Sequence, residues 1–259
     1  MRPILMIHGV GCDGASFDRL RGLLEVEGRV CTAPTLFPEL RTVDTPPPDI
    51  SFLVLKDYVE AMAAAARSLE AERGVAPVLL GHSMGGLIVQ KLAEAGIGAA
   101  GVLVTPAAPP DARVFDPRVL FTFGNIVAAN DPTRGYKVWR TGFDWGVLNC
   151  VEPSRRAGIH AKARHDSGRV YRDLGQPDQD PNRTAYVDAA RVQAPMLSIA
   201  AGMDRATPAA SVVKVAARYA HVNGSSLISY PEAGHWIIDE PTTPKMAADI
   251  LDWLGARGL

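Results

Sequence analysis

The chain has 259 residues, 47 % of them hydrophobic and 21 % charged, with a formal net charge of −1. That length can bury a large core, and the composition is that of an ordinary globular protein. The near-neutral charge removes the electrostatic case for a nucleic-acid partner, and three cysteines without a CxxC spacing (Cys12, Cys31, Cys150) argue against a disulfide framework or a structural zinc site.

The opening "MRPILMIHG" is too short for a secretory apolar region, and no stretch approaches the roughly 18 apolar residues of a membrane helix. The expectation is a cytoplasmic protein with no membrane span. "PILMI" (3–7) reads as a strand and is followed by the loop "HGVGCDG". Phe17, Leu20, Leu23 and Leu24 form a helical stripe over 15–28, with Ser16 as the expected N-cap and Gly28 as the stop. "RVCTAPTL" (29–36) reads as a second strand and "DTPPPDIS" (44–51) as a connecting loop. The Ala-rich stretch 55–74 predicts a helix with Tyr58, Met62, Ala65 and Leu69 on one side and Gly74 at its end.

A buried strand (75–81), a helix (84–96) and another buried strand (99–109) follow. Residues 112–192 then break the alternation: aromatic residues are common there, and no segment reads as a strand. The pattern resumes with strands at 194–202 and 225–234 and helices at 208–222 and 241–256. Apolar strands separated by helices predict an α/β fold, a mostly parallel, doubly wound sheet of about six strands with helices on both faces. The domain reading is a core of 1–111 and 193–259, with 112–192 inserted as a helical cap above the strand ends.

One string carries chemistry. Gly81-His82-Ser83-Met84-Gly85 is G-x-S-x-G between a predicted strand and a predicted helix, the context in which the motif marks a nucleophile. A serine hydroxyl needs a base, and the base needs an orienting acid. Of six histidines, His235 follows the last strand in "PEAGHWIIDEP" and reaches the same sheet edge. His8 lies beside the first loop, and His82 adjoins Ser83 with its side chain expected to point away. His160 and His165 lie in the insertion, where a spacing of five puts them on different helix faces and argues against a metal pair; His221 ends a helix. For the acid, Asp204 follows the strand before last and is favoured over Asp111; Asp239 is too close in sequence to His235. The order Ser83, Asp204, His235 is the order that accompanies this elbow. Backbone N–H groups of Val10 and Met84 are the expected oxyanion donors.

Strand-"HGVG", strand-"GHSMGG"-helix, "AGMDRATP" and "AGHW", in this order, resemble the α/β-hydrolases of the esterase and lipase type. The resemblance spans both flanks of the chain, about two-thirds of it. It implies a Ser83-Asp204-His235 triad, Val10 and Met84 as oxyanion donors, and a helical cap after the sixth strand. The family's N-terminal antiparallel hairpin is missing, because the chain starts two residues before the "HG" strand. Serine at the elbow separates the chain from relatives that use Asp there.

The implied activity is carboxylic ester hydrolysis on small to medium apolar substrates, with no cofactor and no metal. Lactone or C–C bond cleavage, or ligand binding without catalysis, are the alternatives. The expected partner is a small-molecule ester, and a homodimer is compatible with the chain without being required by it. Phe121, Phe123, Trp139, Phe143 and Trp145 are the expected pocket residues. Residues 112–172 carry eleven Lys and Arg against five Asp and Glu; these charges are expected to solvate helix faces rather than to steer anionic substrates. Cys12 reads as a small filler.

Overall fold

The computed structural model describes residues 1–259. Its first half alternates strand and helix: β1 (Ile4–Ile7), α1 (Asp18–Val26), β2 (Cys31–Thr32), α2 (Leu55–Arg73), β3 (Val78–His82), α3 (Met84–Glu94) and β4 (Ala100–Val104). The inserted segment holds α4 (Pro117–Thr122), α5 (Gly124–Ala129), β5 (Gly135–Tyr136), α6 (Arg140–Gly142), α7 (Pro153–Lys162), β6 (Asp166–Ser167) and α8 (Gly168–Gly175). The sheet resumes with β7 (Met196–Ala201), α9 (Ala209–Ala217), β8 (Ser226–Tyr230) and α10 (Thr243–Gly255).

Six strands form one parallel sheet in the order β2-β1-β3-β4-β7-β8. Successive side chains along a strand face opposite sides, so the strands feed two cores. Ile4, Met6, Leu80, Val102 and Ile199 pack with Phe17, Leu20 and Leu24 near α1 and with Met246, Ile250 and Leu254 of α10. Leu5, Ile7, Leu79 and Leu103 pack with Tyr58 and Met62 of α2, Leu87 and Ile88 of α3 and Val215 of α9. The six-stranded α/β sheet covered on both faces is therefore as the sequence predicts.

From β1 the chain goes to β2 on one side and then crosses to β3 on the other. The loops after β1 and β3 part at that point, opening a crevice at the carboxyl ends of the strands. The registers Ile7 with Gly81, His82 with Val104 and Ala201 with Tyr230 bring the ends of β1, β3, β4, β7 and β8 to one edge.

Local expectations differ at several elements, and the strand expected over 99–109 ends at Val104. The strand expected over 29–36 pairs only at Cys31 and Thr32, because Pro34 has no N–H to continue a ladder. Ser16 is not an N-cap; Gly14–Phe17 is a 3₁₀ turn capped by Asp13, whose N–H donates to Ser16 Oγ at 3.3 Å. The helix expected over 208–222 stops at Ala217, and the buried Tyr219 turns inward to donate to Gln90 Oε1 at 2.9 Å. The insertion, expected to lack strands, carries the short antiparallel ribbon β5-β6.

Candidate active site

Ser83 is the junction between β3 and α3, with φ 56° and ψ −121°. A non-glycine residue held there is strained, and strain of this kind persists only where the surroundings enforce it. The sequence supplies those surroundings. A Cβ on Gly85 would overlap the carbonyl of Ile7 at the end of β1, and one on Gly9 would lie 2.9 Å from Ser83 Cβ. Ser83 N–H donates to Val104 O at 3.1 Å, and its carbonyl accepts from Gly86 N–H at 2.9 Å and Ala107 N–H at 2.8 Å. The peptide is thus tied on both sides, while Ser83 Oγ makes no hydrogen bond within the protein and faces a cavity.

His235 sits on the loop after β8, and Asp204 on the loop after the neighbouring β7. His235 Nδ1 donates to Asp204 Oδ2 at 2.8 Å, with both side chains buried. Four groups converge on the carboxylate: Oδ1 accepts from Ala206 N–H (2.7 Å) and Thr207 N–H (2.8 Å), and Thr207 Oγ1 lies 2.8 Å from Oδ2. That Thr207 hydroxyl also lies 2.9 Å from Thr105 O and 3.2 Å from His235 Nδ1, which ties the acid loop to the end of β4. With Nδ1 committed to Asp204, the Nε2 of His235 is the atom left for chemistry.

Two backbone amides flank the serine. Val10 N–H donates to no protein group. Met84 is the first residue of α3, a position whose N–H has no partner inside its own helix. The cavity at Ser83 is lined by Gly9, Val10, Cys12, His82, Ser83, His235 and Trp236 from the sheet side. Phe123, Val138, Phe143 and Val147 close it from the inserted segment. It holds about 20 Å³, room for about one water molecule.

The model of the alpha/beta hydrolase family matches residues 4–244. The chain belongs to that family. Among solved structures, the monoacylglycerol lipase of Paleococcus ferrophilus is similar at 20% identity with a TM-score of 0.70, covering 98% of this chain and 95% of that one. A methylesterase from Arabidopsis is similar at 14% identity and TM-score 0.69, covering 98% and 99%. A pyrethroid hydrolase from Sphingobium faniae is similar at 21% and 0.67, covering 98% of both chains. At these identities the likeness is one of fold. No curated protein sequence matches the chain.

Within this alpha/beta hydrolase, the structure sorts the predicted residues. Ser83 and His235 line one cavity, and Asp204 is bonded to His235. Asp111 instead pairs with Arg218 and is largely exposed, and Asp239 pairs with Arg19 and Arg155. His160 and His165 bond to Val138 O and Thr42 O, and no cluster of acidic, His or Cys side chains is arranged to hold a metal. His221 bonds to Arg218 O near the surface. No helix is long and apolar enough to cross a membrane.

His82 departs from expectation. It lines the cavity, its ring centroid 4.8 Å from that of His235, and its Nε2 bonds to His235 O at 2.9 Å. The strained elbow breaks the strand's alternation, so His82 and Ser83 reach the same space. Burial pushes the His82 pKa down to about 3, so the ring is neutral and acts as a strut under the His235 loop. Three of the five predicted pocket aromatics also lie elsewhere. Phe121 and Trp145 are exposed and pack edge-to-face on each other, with Arg205 over Trp145. Trp139 does not line the cavity, and its Nε1–H donates to Phe121 O and Thr122 O. Aromatic residues on short helices are as useful for joining those helices as for lining a pocket. Val138, Val147 and Trp236, which do line it, carried no sequence signal beyond being apolar.

Proposed function

We propose that this chain is a serine hydrolase of carboxylic esters with small to medium apolar acyl or alcohol groups. The observation that carries the reading is the buried Asp204–His235 hydrogen bond, set on neighbouring loops at the cavity of a strained, glycine-flanked Ser83. Asp204 holds His235 in the Nδ1–H tautomer. His235 Nε2 takes the Ser83 proton as Oγ attacks the ester carbonyl. The N–H groups of Val10 and Met84 stabilise the oxyanion, each worth on the order of 3 kcal/mol in the transition state. His235 then protonates the departing alcohol, and water activated by the same nitrogen frees the acid.

The substrate class follows from the walls. Phe123, Val138, Phe143 and Val147 offer no charge and no hydrogen-bonding side-chain group, and Trp236 adds only its unpaired indole N–H. No Lys or Arg of the insertion lines the cavity, and three of them are paired outside it: Arg118 with Asp116, Arg140 with Asp144 and Arg164 with Asp13. An apolar roof of this kind favours a plain ester over a lactone or diketone that needs a second polar anchor. Ester pockets are far larger than about 20 Å³, so the inserted segment acts as a cap whose side chains move aside for substrate.

The test is turnover of p-nitrophenyl acetate and butyrate by Ser83→Ala. The expected result is a loss of about 10⁴-fold or more with an unchanged circular dichroism spectrum. Undiminished turnover would overturn the reading.

A further inference from the structure

The family motif accounts for Val10 as an oxyanion donor but not for what aims it. Beneath the loop after β1 lies a buried ion pair, Arg41 with Asp166, both side chains fully excluded from solvent. Asp166 belongs to β6, in the inserted segment, 155 positions from the loop it touches. Its Oδ2 accepts from Gly11 N–H and from Arg41 Nη2, each at 2.8 Å. Its Oδ1 accepts from the Tyr58 hydroxyl and from Ser167 N–H.

Arg41 extends the clamp. Its Nη2 also donates to Cys12 O at 2.9 Å, and its Nη1 donates to Leu36 O at 3.0 Å and His8 Nε2 at 3.3 Å. His8 Nδ1 in turn donates to Gly9 O at 2.9 Å, and Nε2 accepts from Leu36 N–H at 3.1 Å. Burial and the neighbouring Arg41 push the His8 pKa down to about 3, which keeps that nitrogen an acceptor. Gly11 O accepts from Arg164 N–H at 2.8 Å. The carbonyls of Gly9, Gly11 and Cys12 and the amide of Gly11 are therefore all held. The amide of Val10, in the middle of them, is left free.

We infer that Asp166, held by Arg41, is a positioning residue for the oxyanion site: by anchoring the Val10–Gly11 peptide from below, it fixes the direction of the Val10 N–H toward the carbonyl attacked by Ser83. The inference rests on the ester-hydrolase reading above. Stability alone does not account for the pair, because a buried ion pair seldom repays its desolvation. Gly11, at φ 66°, sits in a left-handed conformation that the loop on its own would not hold as one state. A carboxylate that meets a backbone N–H, an arginine and a phenol together defines one position for that peptide. It also makes the oxyanion site depend on the inserted segment being docked.

Asp173 provides a matched comparison. It is likewise buried in the inserted segment and accepts a core backbone amide, Leu55 N–H at 3.1 Å, but its other polar partner is Arg172 and not the Gly9–Cys12 loop. The experiment compares Asp166→Asn, Asp173→Asn and Arg41→Lys with wild type, using p-nitrophenyl acetate kinetics, inhibition by an aryl trifluoromethyl ketone, and thermal melting. The ketone forms a hemiketal with Ser83 whose oxyanion occupies the proposed site.

For Asp166→Asn, kcat is expected to fall about 10- to 100-fold, less than the loss of a donor itself. KM should stay within about threefold, and the ketone's inhibition constant should rise by the same factor as kcat falls. Asp173→Asn should lower Tm and leave kcat and the inhibition constant unchanged. Arg41→Lys carries the same prediction as Asp166→Asn and serves if that variant does not fold. Wild-type kcat and ketone affinity in a folded Asp166→Asn or Arg41→Lys protein would overturn the positioning role. Equal loss of kcat in Asp173→Asn would also overturn it, reducing the contact to a structural tie. A wild-type protein that turns over no ester would instead overturn the ester-hydrolase reading.

Discussion

Two regions meet at one cavity and are built by different means. On the sheet side, positions are set by backbone: Ser83 at a strained φ, Gly85 against the Ile7 carbonyl, and Asp204 receiving two backbone amides and His235. On the inserted side, Phe123, Val138, Phe143 and Val147 contribute only apolar surface. The first kind of construction tolerates few residue types at each position. The second tolerates many, and these four side chains can shift without displacing Ser83, His235 or Asp204.

Substitutions should therefore separate reaction from reach. The largest effect belongs to the sheet side: Asp204→Asn should lower kcat for p-nitrophenyl acetate about 10⁴-fold, because His235 loses the tautomer it needs. Asp111→Asn should leave it unchanged, since that residue faces Arg218 at the surface. Comparable losses in both variants would erase the distinction.

Next is the packing of the inserted segment's own aromatic residues. Phe143 is 3 % exposed and packs on Trp236 and His160, whereas Phe121 is 43 % exposed. Denaturant unfolding should show Phe143→Ala destabilised by about 3–5 kcal/mol and Phe121→Ala by well under half of that. A reversed order would mean that the exposed aromatics are covered in solution.

Acid response should also divide the regions. His8 and His82 are buried on the sheet side with pKa values pushed down to about 3 from 6.5, chiefly by desolvation. A histidine depressed in this way contributes stability that is complete above pH 6.5 and is lost as pH falls toward 3. His82→Gln should flatten the stability–pH slope in that window by up to about 1.4 kcal/mol per pH unit. His160→Gln, in the half-buried part of the insertion, should flatten it less.

The smallest effect concerns selectivity. Phe123→Ala should raise kcat/KM for p-nitrophenyl octanoate relative to acetate by about 10-fold, as removed apolar bulk is replaced by acyl chain. An unchanged ratio would place the acyl group elsewhere.

This division also explains what was legible in the sequence. The six parallel strands and both cores could be read because alternating strands and amphipathic helices leave a periodic trace. Ser83, His235 and Asp204 could be singled out because each follows a strand in a glycine-rich or acidic loop that few other segments imitate. Val138 and Val147 could not be told from core residues, and the aromatic content of the insertion drew attention to Phe121, Trp139 and Trp145, which join its helices instead. The Thr207–Thr105 contact and the Arg41–Asp166 pair stayed hidden for another reason. Their partners lie far away in sequence: Thr207 Oγ1 meets Thr105 O 102 positions away, and Asp166 meets Arg41 at 125. No local pattern carries contacts of that kind.

The central claim is that Ser83 is the nucleophile, activated by His235. It is tested most directly by treating the intact protein with a fluorophosphonate and locating the adduct by tandem mass spectrometry. The account predicts one phosphonyl group per chain, on Ser83, with labelling slowed at least about 100-fold in His235→Ala. An unlabelled Ser83, or labelling of that serine at the same rate without His235, would contradict it.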